Sequence, residues 1–192
     1  MKDNSFESIL GGILENYRAL CSYCDSFFNA ALKKYQKHVF CKASCSMCCE
    51  LESVNYLEAF IIISRITTEK QKNNRTESKC IFLIDDNCSI YSSRPIICRT
   101  HGLALSSSEF SAPYAISCPL NFQSPSLHLD SHFILDSDTV TLNLIKLNLA
   151  FCLLLGDCEQ GSKRVSLEEI AAGKRPEIFR KIRNYDAVSP LQ

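Results

Sequence analysis

From Phe6 to Tyr35 the apolar side chains fall at Phe6, Ile9, Leu10, Ile13, Leu14, Tyr17, Leu20, Cys21, Cys24, Phe27, Phe28, Ala31, Leu32 and Tyr35. A stripe that returns every three or four residues predicts helix, either one long one or two in line. Gly11 and Gly12 interrupt the stripe. Each costs about 1 kcal/mol in a helix interior, so a break or a frayed first turn is expected there. A second helix is expected to open at Asn55, with Glu58 three residues on completing a capping box. Its body, Leu57 to Ile66, is apolar nearly all round, which places it in the middle of the domain. A third helix is expected over Thr139 to Leu155, closed by Gly156, and a short fourth one from the cap at Ser166 to Gly173.

Between Cys80 and Tyr91 the period changes. Ile81-Phe82-Leu83-Ile84 and Ser89-Ile90-Tyr91 flank the turn-forming Asp85-Asp86-Asn87, which predicts a short hairpin. Pro95 pushes Arg94 out of the helical region, so a new turn or helix should start at the proline. Residues 106 to 126 hold Pro113, Pro119 and Pro125 among many serines and read as mostly loop. There is no internal repeat. The expectation is one domain over 1–192, mainly α, with helices packed around an irregular cysteine-rich metal-binding centre and a short β-hairpin.

Composition narrows the function classes. Lys plus Arg is 21 and Asp plus Glu is 21, so the chain has no positive excess to draw nucleic acid or an anionic membrane. Lys174, Arg175, Arg180, Lys181 and Arg183 form a basic run that reads as a solvated helix face. No basic flank with an apolar core opens the sequence, and Leu142 to Leu155 is short for a bilayer and contains Asn143, Lys146 and Asn148. A cytoplasmic protein with no membrane partner is expected. With six glycines and neither G-x-G-x-x-G nor G-x-x-x-x-G-K-[ST], nucleotide-cofactor and phosphate-loop sites are unsupported.

The cysteines change the picture. There are 12, and eight of them, Cys41, Cys45, Cys48, Cys49, Cys80, Cys88, Cys98 and Cys118, fall in one stretch of the chain. In a reducing cytosol such a set points to metal or redox chemistry rather than disulfides. The first four are spaced C-x3-C-x2-C-C. Thiolates on one ion must bring their sulfurs within about 4 Å of each other, which spacings of two and three residues on a turn permit. Buried apolar thiols account for isolated cysteines better than for clustered ones.

Together these segments resemble the zinc- or iron-chelating cysteine-cluster proteins of the YkgJ type. The likeness runs over residues 41–118: Cys41-Lys42-Ala43-Ser44-Cys45-Ser46-Met47-Cys48-Cys49, then Cys80-Ile81-Phe82-Leu83, then Cys88-Ser89-Ile90-Tyr91-Ser92-Ser93-Arg94-Pro95-Ile96-Ile97-Cys98-Arg99. Ile81 stands where that family usually has proline after the cysteine. The resemblance implies that the eight cysteines chelate zinc or iron, with Cys118, followed by Pro119, as the downstream ligand. A similar cysteine cluster occurs in the flagellin lysine N-methylases, which raises an iron–sulfur centre and an enzyme of protein lysine methyl transfer as the alternative, although no methyl-donor motif is visible. A third reading is a zinc-stabilised interaction module with a protein partner.

Geometry bears on the number of centres. In a regular hairpin turning at 85–87, Cys80 and Cys88 would lie about 13 Å apart, too far to share an ion. Adjacent Cys48 and Cys49 should point in different directions, which again favours two sites, a bridging thiolate or a polynuclear cluster, unless the hairpin is distorted around one centre. Arg94 and Arg99 are placed to offset thiolate charge, or else form surface salt bridges, and Tyr91 is expected in the core. Cys21 and Cys24 have a C-x2-C spacing but lie in the apolar stripe of the first helix and read as core; Cys152 and Cys158 default to structure. His101 is a candidate replacement ligand, whereas His128 and His132 have helical metal-pair spacing in a stretch with little helical pattern.

Overall fold

The computed structural model describes residues 3–42, 45–66, 79–116 and 118–182. The fold is mainly α. The first helix, α1 (Asp3–Lys34), is continuous. The break expected at the glycines does not occur, because buried Leu10, Ile13, Leu14 and Tyr17 clamp the helix on both sides of them. Burial at about 1.5–3 kcal/mol per large apolar side chain exceeds the glycine cost. A Cβ at Gly11 or Gly12 would meet nothing within 4 Å, so no close packing calls for either.

Helix α2 (Tyr56–Ile63) is buried at every position from Leu57 to Ile63, as its all-round apolar pattern implies. Asn55 caps it, its side chain accepting from Glu58 N at 2.8 Å. The other half of the expected capping box is absent. The Glu58 carboxylate turns inward and accepts from Ile96 N at 2.9 Å and from the Tyr17 hydroxyl at 3.5 Å. Helix α3 (Ile96–Thr100) follows Pro95, with Arg94 extended before it.

Helix α4 (Ser137–Leu154) begins two residues before the expected start because Asp136 caps it, accepting from Asp138 N and Thr139 N. It ends before Gly156, whose φ of +71° continues the chain in the left-handed region open to glycine. By length and composition α4 would pass as a membrane-crossing helix, which the reading of 142–155 as too short did not anticipate. In the fold it packs against α1 and α2. Its buried Asn148 accepts from Leu57 N at 3.0 Å and donates to Gly161 O at 2.9 Å, pinning α2 to the turn after α4. Phe60, Phe151 and Phe179 meet with centroids 5.3, 5.7 and 5.9 Å apart, filling the core with edge-on and tilted ring contacts. Helix α5 (Leu167–Ala171) is capped by Ser166 as expected.

The strands are two or three residues long. β1 (Ser53–Val54) pairs antiparallel with β7 (Val165–Ser166), and β2 (Leu83–Ile84) with β3 (Asn87–Cys88). β4 (Ala104–Ser106) lies between antiparallel β5 (Ala115–Ile116) and parallel β6 (Ile134–Asp136). Of this last sheet, β5 and the end of β4 fall in the stretch expected to be mostly loop. Strands this short carry too few residues for a period of two to register.

Candidate metal centre

Five segments carry the eight cysteines: the loop from Cys41 to Cys49 after α1, the turn at Cys80, strand β3 with Cys88, helix α3 with Cys98, and Cys118 after β5. The loop is built from turns. Cys45 N donates to Lys42 O at 3.1 Å, Cys49 N to Ser46 O at 3.0 Å and Glu50 N to Cys48 O at 3.0 Å. It is tied to the hairpin at three places. Cys80 N donates to Cys49 O at 2.8 Å, and the Ser46 hydroxyl donates to Asp86 Oδ1 at 3.0 Å. Lys79 Nζ reaches Ser46 O and Met47 O, each at 3.3 Å, and Glu50 Oε1 at 3.0 Å. A cation therefore braces the carbonyls of a loop that holds several potential thiolates.

The hairpin departs from the regular ribbon in a way that matters. Asp85 and Asp86 take φ of +47° and +59°, the left-handed pair of a two-residue turn, which Asp tolerates better than most residues. The register pairs Leu83 with Cys88. Leu83 N donates to Cys80 O at 3.0 Å, so residues 80–83 form a turn and Cys80 curls back instead of running on as strand. The separation of about 13 Å drawn from an extended strand therefore loses its premise. Burial and then the charge of Cys80 push up the Cys98 thiol, to about 12. The thiols of Cys80, Cys88 and Cys98 all act on Cys49.

The adjacent pair also differs from expectation. Cys48 donates its S–H to Cys49, which lowers Cys49 below the usual thiol range and raises Cys48. The neighbouring side chains that were expected to diverge therefore interact, and Cys49 is the readier thiolate of the two. At the other end, burial raises Cys41, the Asn121 amide opposes that by hydrogen bonding, and Cys118, Cys45 and Cys48 add repulsion. Cys48 acts by its charge on Cys41 at one end and on Cys88 and Cys98 at the other. Among the described residues, however, no three His, Cys, Asp or Glu side chains are disposed to hold an ion.

Behind α3 lies a buried ion network. Asp25 of α1 receives Arg94 Nη2 at 2.6 Å and Arg99 Nη1 at 2.5 Å. Arg99, 7% exposed, also donates to Arg94 O at 3.0 Å and Ser92 O at 2.9 Å. It is thus no surface salt bridge. Two guanidiniums against one carboxylate leave one positive charge beside the cluster, and Arg94 draws down the Cys88 thiol that burial raises. Asp25 escaped the sequence reading, although a lone acid beside the apolar stripe was its signal. Tyr91 is 64% exposed, not core, and carries the Arg94 guanidinium 4.0 Å above its ring.

The remaining candidates separate cleanly. Cys21 and Cys24 are buried in the core, and burial holds both thiols up, Cys24 to about 11. Cys152 is likewise buried and raised to about 11, while Cys158 is exposed. His101 is the residue that closes α3. His128 and His132 are exposed outside any α-helix, and their rings go to Ser126 O at 3.2 Å and Asp130 Oδ1 at 2.7 Å. In the basic run, Lys174 pairs with Glu169, Arg180 with Glu177, and Lys181 Nζ donates to Leu155 O at 2.6 Å at the end of α4; Arg183 lies outside the described residues.

Beside the cysteine loop opens a cavity of about 530 Å³ between Phe40, Lys42, Cys45, Met47, Asp86 and Leu120. Phe40, Met47 and Leu120 are exposed at its rim.

Residues 40–119 match the model of the CxxCxxCC family, described as "Putative zinc- or iron-chelating domain". The matched span holds all eight clustered cysteines, with three residues rather than two between Cys41 and Cys45. No curated protein and no solved structure matches the chain.

Proposed function

We propose that this protein binds zinc or iron through thiolates drawn from Cys41, Cys45, Cys48, Cys49, Cys80, Cys88, Cys98 and Cys118, in a reducing cytosol. The observation that carries the reading is that the span matched by a zinc- or iron-chelating family holds eight cysteines from five separate segments, several of them near enough to shift one another's protonation. The donor set suits the chemistry. Sulfur-only sites take zinc or build iron–sulfur clusters, and the positive charge at Lys79 and the Arg94–Arg99–Asp25 network offsets the thiolates.

Cys48 is exposed and Cys45 faces the open cavity. An ion held by these two would be reachable from solvent, which suits exchange or delivery. The turn at Cys80 and the interaction between the Cys48 and Cys49 side chains favour one centre over two.

The test is elemental analysis with a visible spectrum on protein purified without oxygen. Stoichiometric zinc in a colourless protein, or iron with sulfide in a brown one, supports the reading and chooses its form. A chain that purifies free of both and takes up neither on incubation contradicts it.

A further inference from the structure

Asn121 lies two residues beyond the span matched by the family model, yet it is fully buried and every polar atom of its amide is used. Its Oδ1 accepts from Phe40 N at 2.8 Å. Its Nδ2 donates to Gly102 O at 2.7 Å and to Cys41 Sγ at 3.4 Å. Its own backbone N donates to Cys118 O at 3.2 Å, closing the turn that carries Cys118. The next residue, Phe122, donates its N to His38 O at 2.7 Å, so the 118–122 segment is clamped along the chain leading into Cys41.

Gly102 completes the arrangement. Its φ is +97°, and a Cβ placed there would come within 2.9 Å of Cys41 Sγ and 3.1 Å of Asn121 Nδ2. Only a residue without a side chain lets the sulfur and the amide approach each other across this point.

From this geometry we infer that Asn121 is a positioning residue for the metal centre: its Nδ2–H holds the Cys41 sulfur as a thiolate ligand and its backbone turn delivers Cys118 to the same place. The inference rests on the thiolate-chelation reading above. A donor N–H aimed at a sulfur favours the anionic, metal-binding form and orients its lone pairs, and supporting groups of this kind typically contribute about 10–100-fold to metal affinity.

The variant test is Asn121→Asp. It keeps an acceptor for Phe40 N but replaces the N–H donor by a carboxylate oxygen against the sulfur. In the cobalt-loaded full chain we expect the sulfur-to-cobalt charge-transfer band to shift and cobalt affinity, measured against a competing chelator, to fall by about 10–100-fold. In a Cys41→Ser background the same substitution should produce no further loss. An unchanged band, or an equal loss in both backgrounds, overturns the inference.

Should the variant not fold, the wild-type chain loaded with ¹¹³Cd gives the answer by NMR. Scalar coupling from cadmium to both the Cys41 Hβ protons and the Asn121 Nδ2–H is expected. Coupling to Cys41 without coupling to Asn121 overturns this inference alone. Cadmium bound without coupling to Cys41 removes Cys41 from the ligand set and the inference with it. A chain that binds no cadmium at all contradicts the chelation reading itself.

Discussion

The helical body and the cysteine-bearing half are held together by different physics. In the body, α1, α2 and α4 bury Leu10, Leu57, Phe60, Ile62, Phe151 and Leu155 almost completely, and the aromatic trio fills the space between them. Burial of that kind is non-directional and proportional to area, so it needs no particular ligand. In the cysteine half the strands are two or three residues long. The loop, the hairpin and α3 are joined by individual hydrogen bonds from Cys80 N, Ser46 and Lys79 and by the ion network at Asp25. Single hydrogen bonds contribute about 0.5–1.5 kcal/mol net each. The contrast teaches that the body is held by burial, whereas the cysteine half adds Phe82, Ile90, Ile96 and Leu103 to that core and otherwise relies on directional bonds, to which thiolate coordination would add on the reading proposed above.

The sharpest way to break this comparison is to remove central thiols. Cys45→Ser and Cys48→Ser should each lower metal content and cut stability by several kcal/mol, on the order of a sizeable part of the binding energy, because metal binding and folding are one equilibrium at such sites. Metal analysis and thermal unfolding on the same samples check this; full occupancy with unchanged melting would take both residues out of the site. Cys80→Ser and Cys88→Ser should lose metal to the same extent if the centre is connected, whereas loss of one equivalent from only one of them restores two sites.

Next in size is the ion network. Asp25→Ala leaves Arg99 buried without its carboxylate, and stability should fall by about 2–3 kcal/mol, less than a fully buried pair would lose because Asp25 is partly exposed. Denaturant titration measures this. A smaller loss, on the order of 1 kcal/mol, is expected for Cys21→Ala, with metal stoichiometry intact, since this thiol serves the core. A missing metal equivalent in that variant would move Cys21 into the site.

The smallest effect concerns pH. Glu58 is 4% exposed, and burial holds its carboxyl above the usual range. A group raised on folding contributes stability below its unfolded pKa that is lost as pH rises through the folded value. The difference in melting temperature between Glu58→Gln and wild type, followed in the metal-free chain, should therefore shift in favour of the variant as pH rises from acidic to neutral. A constant difference across that range would show that Glu58 does not titrate as described.

Much of the helical body was legible in the sequence, because a long stripe of period 3.6, the Asn55 and Ser166 caps and the glycine after α4 each have a local physical cause. The break expected at Gly11-Gly12 does not form because tertiary burial outweighs local propensity. In the candidate site, spacing and residue type pointed to the eight cysteines, but not to what surrounds them. Asp25 and Asn121 act across long stretches of chain, and nothing local in either marks its partner. The turn at Cys80 was hidden for the opposite reason, since Ile81 to Ile84 reads as strand whether or not its first residues curl.

The central claim, that thiolates of this cluster hold the ion, is tested most directly by X-ray absorption at the metal edge of the protein purified without oxygen. The account predicts a first shell of sulfur alone, with metal–sulfur distances of about 2.3 Å. A first shell dominated by nitrogen or oxygen near 2.0–2.1 Å, in a chain whose cysteines remain free, would contradict it.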